Sequence, residues 1–427
     1  MRSPRVLQAL FVILALFAVA LVSARATRAA DFRVYYYASR VLIEGHGQLY
    51  GPQSGIGWPQ YFRYPPLFLL AFLPFALLPF KAAAALWAAL KCAVLYALVR
   101  ALGRRLSFPQ TGFWWLVPVF LCTGFVVQEL DVGNVQLLVF GLTAASLLSL
   151  QSNSSRPALL LSFAASLKVW PLFFVPYLAA RRHTRVAAIT VILVAAFMLL
   201  PAAYFGWGDN LHLLREWVAQ EWGTGSMAAG TWFPSQSLSG VLQRYLTTMD
   251  YSKWPDPNYR QVNLVHIDPR FVPLIWALIA GSAYLALLWL ARKASTTIAQ
   301  GRPPLLLTEG LAFCALPLIQ PFAHRIAFVV LLWPAMVAGA LLARPGFPSA
   351  RSRILIWTAI AIEGVEPLFP GARVQRLFQV LGVDFWATCI LAAGLLIAWM
   401  EWQRIEGAQP SAETLPVPTN YEFSPGR

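Results

Sequence analysis

The segment from Ala30 to Pro66, ADFRVYYYASRVLIEGHGQLYGPQSGIGWPQYFRYPP, concentrates groups that can do chemistry in an otherwise apolar chain. It carries the carboxylate of Asp31 and cations at Arg33, Arg40 and Arg63. Its aromatics are a tyrosine run from Tyr35 to Tyr37, then Trp58, Tyr61 and Tyr64. A carboxylate at Asp31 can take a proton from an attacking hydroxyl, or it can cap a helix beginning at Phe32. Further along, Glu129, Asp131, Lys168, His324 and Arg325 are ionisable groups set among apolar stretches. Lys168 is the most informative, because an ionisable side chain inside an apolar run is costly and marks a cavity or a partner. Beside Trp170 it can also snorkel to an interface. Glu44 and His46 read as solvated surface.

The scaffold must hold these groups at a membrane. Of 427 residues, 58% are hydrophobic and 12% charged, about half the charged share of a soluble domain. Repeated apolar runs approach the ~20 residues that cross a bilayer, and they lack the alternation of a barrel. The expectation is an all-α polytopic membrane protein, a single domain over residues 1–404 with a disordered cytoplasmic tail over 405–427. The net charge of +15 fits basic cytoplasmic loops and contacts to anionic membrane lipids. No soluble domain carries a basic stripe, so nucleic acid is not an expected partner. Cys92, Cys122, Cys314 and Cys389 fall in expected spans and read as small apolar residues. Neither a cofactor fingerprint nor a metal-ligand spacing is recognisable, so no cofactor or metal is expected.

Charge sets the orientation. Arg2 and Arg5 keep the N-terminus inside, making Val6–Ala24 an uncleaved first span that delivers Asp31 to the outer face of the plasma (inner) membrane. Pro65–Phe80, short and broken by Pro74 and Pro79, reads as a re-entrant helix in an outer loop over 27–81. Ala82–Leu102 then returns Arg100, Arg104 and Arg105 inside. Pro157–Ala180 reads as two half-spans with Lys168 at the outer turn, which keeps Arg181, Arg182 and Arg185 inside. A second outer loop covers 206–270, and His324-Arg325 lies in a further outer turn. About a dozen spans result, with the mixed acid and base groups on one face. The other face offers basic loops without a phosphate-cradling turn, which favours a lipid-linked substrate reached from the membrane.

Asp31 with VYYYASRVLIEG, then QLY at Gln48–Tyr50 and YFRYPPLFLLAFLPFALLP, resembles the first half of glycosyltransferase family 87. GNVQLLVFGL (Gly133–Leu142), SFAASLKVWPLFFVPYL (Ser162–Leu178), PSQSLSGVLQR (Pro234–Arg244) and LIQPFAHRIAFVVLLWP (Leu318–Pro334) are similar to that family's later landmarks, in its order. Ser235 stands where the family often has Asn, and Gln320-Pro321 replaces a Ser-Pro lead.

The resemblance implies a GT-C type helical bundle with juxtamembrane or re-entrant helices in its first outer loop. It implies transfer of a hexose, mannose in that family, from a polyprenyl-phosphate sugar donor. The acceptor would be a lipid-linked or cell-envelope glycan, and transfer would proceed with inversion. It also implies Asp31 as general base. A phosphate leaving group needs positive charge, for which Lys168, His324, Arg325 and Arg63 are the candidates. Glu129, Asp131, Tyr35, Tyr64 and Gln236 are the expected acceptor or sugar contacts, though interfacial aromatics also form membrane belts. The rival reading is a transporter or flippase of a lipid-linked sugar, which would use ionisable groups and discontinuous helices in the same way.

Overall fold

A backbone that crosses hydrocarbon must bond its own amides, and every regular element among the described residues is helical. The computed structural model describes residues 4–45, 48–51, 61–109, 112–151, 155–223, 234–252, 256, 258–296, 303–369 and 371–408. His46, Trp58 and the tail from 409 onward lie outside the described residues.

The chain opens with α1 (Pro4–Ala24), a short 3-10 turn, and α2 (Ala30–Glu44), which carries the tyrosines. Proline begins α3 (Pro66–Ala76), where its fixed φ suits a first turn. That helix covers only about 17 Å and cannot cross a bilayer. α4 (Phe80–Arg105) is long enough to cross a bilayer, and it is followed by α5 (Leu116–Val132), α6 (Gln136–Leu148) and α7 (Arg156–Leu167). α7 stops at Lys168, whose backbone is extended. A 3-10 turn at Trp170–Phe173 then leads into α8 (Phe174–Ala180). Next come α9 (Thr184–Leu199), α10 (Ala202–Phe205), α11 (Trp207–Gly223) and α12 (Leu238–Leu246). The remainder is α13 (Val272–Thr296), α14 (Pro303–Ile319), α15 (Leu332–Leu342), α16 (Ala350–Val365), α17 (Ala372–Leu381) and α18 (Val383–Ala408).

Among the described residues, six stretches are long and apolar enough to cross a membrane: Phe80–Arg105, Gly112–Val132, Thr184–Phe205, Pro269–Ala294, Arg325–Leu342 and Val383–Ile405. The chain is an all-α, multi-pass membrane protein. α15 is apolar on every side, so it is buried; Trp333 and Met336 are fully enclosed, with α5 and α14 packed against it. The four cysteines are free, three of them buried.

Ion pairs tie one end together. Arg105, the last residue of α4, and Arg181, just after α8, both meet the fully buried Glu309 of α14, at 2.9 and 2.8 Å. Arg181 therefore lies at this basic end and Lys168 at the other, as two half-spans require. Three details differ from expectation. α2 starts at Ala30 with Ala29 at the cap position, so Asp31 lies inside the first turn and caps nothing. The polar 206–270 stretch contains α11 and α12. α18 continues to Ala408, past the boundary at 404, because Glu401-Trp-Gln-Arg-Ile is good helix-forming sequence.

Candidate active site

The turn between α5 and α6 organises the site. Gly133 ends α5 with φ +73°, which glycine adopts without strain. A Cβ there would lie 2.5 Å from the Phe32 Cβ, so only glycine lets α2 approach this closely. α4 braces the turn: Trp87 Nε1 donates to the Gly133 carbonyl at 2.9 Å. Lys91 Nζ donates to the carbonyls of Glu129 and Asn134, at 2.9 and 3.2 Å, and to Glu129 Oε2 at 3.0 Å. Asn134 Oδ1 accepts from the Gln136 amide at 2.9 Å and from Lys168 Nζ at 3.4 Å. Those two donors fix the side-chain amide, and its Nδ2 donates to Asp31 Oδ2 at 2.7 Å. The second oxygen of Asp31 has no partner among the described residues.

Burial decides the charge states. It pushes the half-buried Asp31 carboxyl above the usual range, against the pull of Asn134 and then Lys168. It holds Lys168, which lies between α7 and the following turn, down to about 8 despite the attraction of Asp31. At neutral pH Lys168 remains a cation, 5.8 Å from the centre of the Tyr64 ring. His324 is pushed down to about 3 by burial, then by the charges of Lys168 and Arg63. Its imidazole is neutral and offers a hydrogen bond, not a charge. Tyr35 and Tyr64 share a 2.6 Å hydroxyl–hydroxyl bond and pack edge to face. Tyr35 is only 1% exposed, so it is wall and not a stacking surface. α11 holds Arg63 in place, since Trp217 Nε1 donates to the Arg63 carbonyl at 3.1 Å and Gln220 Nε2 to the Phe62 carbonyl at 2.7 Å.

Other expected residues lie apart. Glu129 is fully buried, with Oε2 on Lys91 and Oε1 accepting from the Leu137 amide at 3.1 Å, so it supports the turn and presents no free oxygen. Asp131 is exposed on the same turn. Arg325 is bidentate to Glu366, with Nε 3.7 Å from Asp384. Together with Gln236 and His324 it lines a polar cavity of about 340 Å³. Glu363, Glu366 and Asp384 bring carboxylate oxygens within 4.8 Å of one another. Such a group could hold a cation, but Arg325 already engages both oxygens of Glu366.

A second cavity, apolar and about 460 Å³, lies between α3, α4, α6 and α7, lined by Phe72, Trp87, Ala97, Ala101, Leu142 and Phe163 among others. From Trp87 to Ala101 it follows α4 for about 21 Å. Phe68, Phe72 and Trp87 at its upper end pack against Tyr35, and Phe68 packs against Tyr64. The groove therefore ends beneath the Asp31–Asn134–Lys168 chain. Asn134 and Lys91 were not among the expected residues. The GNVQ turn was the signal for the first, and a lysine within an alanine-rich apolar helix was the signal for the second.

The sequence model of glycosyltransferase family 87 matches residues 62–321, which include Arg63, Asn134, Lys168 and Gln236. The chain is 25% identical over 360 residues to the polyprenol-phosphate-mannose-dependent alpha-(1-2)-phosphatidylinositol mannoside mannosyltransferase of Mycolicibacterium smegmatis, covering 78% of this chain and 73% of that one. It is 25% identical over 350 residues to the corresponding pentamannoside mannosyltransferase of Mycobacterium tuberculosis, covering 79% and 72%. With more than half of its length matched, the chain belongs to glycosyltransferase family 87 and is a membrane glycosyltransferase.

Proposed function

We propose that this enzyme transfers mannose from a polyprenyl-phosphate donor to a lipid-linked or cell-envelope glycan, at the outer face of the plasma (inner) membrane. The observation that carries this reading is the Asp31–Asn134–Lys168 chain at the head of an apolar groove. The prenyl tail lies in the groove and its phosphate reaches Lys168 and Arg63. The acceptor hydroxyl gives its proton to the free oxygen of Asp31 while its own oxygen bonds to the anomeric carbon from the opposite side. The bond from that carbon to the phosphate oxygen breaks, and polyprenyl phosphate leaves with the electron pair. Lys168 opposes the negative charge that grows there. His324, neutral, donates a hydrogen bond near the same phosphate or the acceptor. The short basic stretches Arg104-Arg105, Arg181-Arg182 and Arg292-Lys293 support reading that end as cytoplasmic, with Asp31 on the other side. The names of the relatives, which include a polyprenol-phosphate-mannose donor, support the same donor here.

The test supplies purified protein with polyprenyl-phosphate mannose and a membrane lipid extract. Asp31→Asn should keep the fold and lower turnover by about 10²–10⁴-fold. Undiminished transfer by that variant would remove Asp31 from the mechanism. Asp31→Cys, labelled from outside intact cells by a membrane-impermeant thiol reagent, checks the face.

A further inference from the structure

The polar cavity reaches beyond His324, and apart from that residue its walls take no part in the donor chemistry above. Gln128, Gln236, Arg325, Glu366, Arg376 and Asp384 converge on it. We infer that this cavity binds the terminal sugar of the acceptor and selects an uncharged hexose over a phosphorylated one. The inference deepens the glycosyltransfer reading and rests on it.

Three observations lead there. First, Gln236 is 2% exposed and its Nε2 donates to the carbonyls of Pro234 and Gln379, at 3.1 and 2.9 Å. Its Oε1 is enclosed and has no hydrogen-bond partner among the described residues, so an amide on the cavity wall keeps its acceptor unmet. A buried amide oxygen without a donor is costly, and a sugar hydroxyl supplies one. Second, both arginines arrive already neutralised. Arg325 is bidentate to Glu366, and Arg376 reaches Asp256 Oδ2 at 2.7 Å and Gln379 Oε1 at 2.9 Å. Behind them Glu363 adds a further buried carboxylate with an unpartnered oxygen. Each arginine on the wall is already paired with a carboxylate, Arg325 with Glu366 and Arg376 with Asp256, so a phosphate finds no unpaired cation to neutralise it. A polyol finds carboxylate and amide oxygens to accept from its hydroxyls, and guanidinium N–H groups to donate to its oxygens. Third, the volume of about 340 Å³ lies at the small end of the about 300–1,000 Å³ range of small-molecule sites.

The cavity is also built as a unit. The buried Arg244 of α12 donates to the carbonyls of Val380 and Ser235, both at 2.7 Å, tying the Gln236 segment to the end of α17. Ser237 Oγ accepts from the Gly240 amide to cap α12, and the Gln236 amide donates to the Ala323 carbonyl at 2.7 Å. His324 follows directly, so the cavity adjoins the residue on which Lys168 and Arg63 act.

The experiment uses the full chain in lipid nanodiscs with polyprenyl-phosphate mannose. Octyl α-mannoside is the neutral probe and its 6-phosphate the anionic one. Each is measured as acceptor and as competitor of transfer to membrane lipids. The neutral probe should be bound and the phosphate at least about tenfold worse. Arg376→Gln and Asp384→Asn should each raise the KM for octyl mannoside about tenfold while the donor KM does not follow. Thermal unfolding within a few degrees of wild type shows that each variant is folded. Preference for the phosphate, no binding of either probe, or an unchanged acceptor KM in both folded variants overturns the inference and leaves transfer itself standing. A divalent-cation requirement lost in the same variants gives the carboxylates to a metal, which also overturns it. Absence of mannosyl transfer to any lipid by wild type overturns the glycosyltransfer reading instead.

Discussion

Asn134 Nδ2 holds Asp31 Oδ2 at 2.7 Å across 103 positions of sequence, and the same side chain accepts from Lys168 through Oδ1. One amide thus spaces the proposed base from the proposed phosphate cation. Asn134→Asp replaces the donor with a carboxylate facing Asp31, so the two repel and the base turns away. Asn134→Ala removes both contacts. Either change should lower kcat by about 10²-fold, the scale of a small misplacement of a reacting group, with the donor KM moving less. Steady-state kinetics on both variants check this, and wild-type kcat in Asn134→Ala would show that the amide positions nothing.

Charge states predict a bell-shaped pH profile. Asp31 must be ionised to accept a proton, and burial raises its carboxyl, so the acid limb lies above the ordinary carboxylate range. Lys168 must be protonated to oppose the phosphate. It is charged below about 8 and loses that charge above it, which sets the alkaline limb. Lys168→Arg keeps a cation throughout and should displace the alkaline limb upward, even if turnover drops. Lys168→Met should lose the limb together with most activity. Profiles of kcat/KM from about pH 5 to pH 10 decide, and an alkaline limb that stays put in Lys168→Arg assigns it to another group.

Much of this was legible in the chain because membrane physics leaves few choices. Apolar runs must be helices, and Arg and Lys bias gave the alternation that puts Lys168 opposite Arg181. Pro79 marked the break between the short α3 and α4, whereas Pro74, also expected to interrupt the segment, lies inside α3. The site was legible only where a residue violated its surroundings, as Lys168 does. Asn134 violates nothing, being a polar residue in a polar turn, and its role emerges only when Gly133 lets α2 come close. Glu129 misled for the converse reason: its partner Lys91 is 38 positions away on another helix, so the pair cannot be recognised from either residue alone. Likewise Glu363, Glu366 and Asp384 meet Arg325 only through the packing of α16 and α18.

Lys91 and Glu129 form a pair with both side chains fully enclosed. Removing one partner of such a pair strands the other charge, which costs about 3–5 kcal/mol. Lys91→Met should therefore lower thermal stability sharply. The double variant Lys91→Met with Glu129→Leu should recover a large part of the loss, because no charge is then left alone. Activity should not recover in parallel: Lys91 also holds the Asn134 carbonyl, and the turn stays loose without it. Thermal unfolding and turnover measured on the same preparations separate these effects, and equal recovery of both would show that the pair serves stability only.

The groove makes a prediction about length. Its lower half is lined by small residues, with Ala97 and Ala101 on α4 facing Gly141 and Ala145 on α6. A prenyl chain that fills the groove contributes affinity in proportion to the apolar area it buries. Ala97→Phe blocks the lower half without touching Trp87 or the tyrosines above, so the head of the site keeps its shape. The variant should raise the KM for a long polyprenyl-phosphate mannose several-fold, while leaving the KM for a short-chain analogue that ends above residue 97 unchanged. Comparing the two donors on wild type and variant checks this. Equal effects on both donors would mean that the substitution disturbs the site itself, and no effect on either would mean that the prenyl chain lies elsewhere.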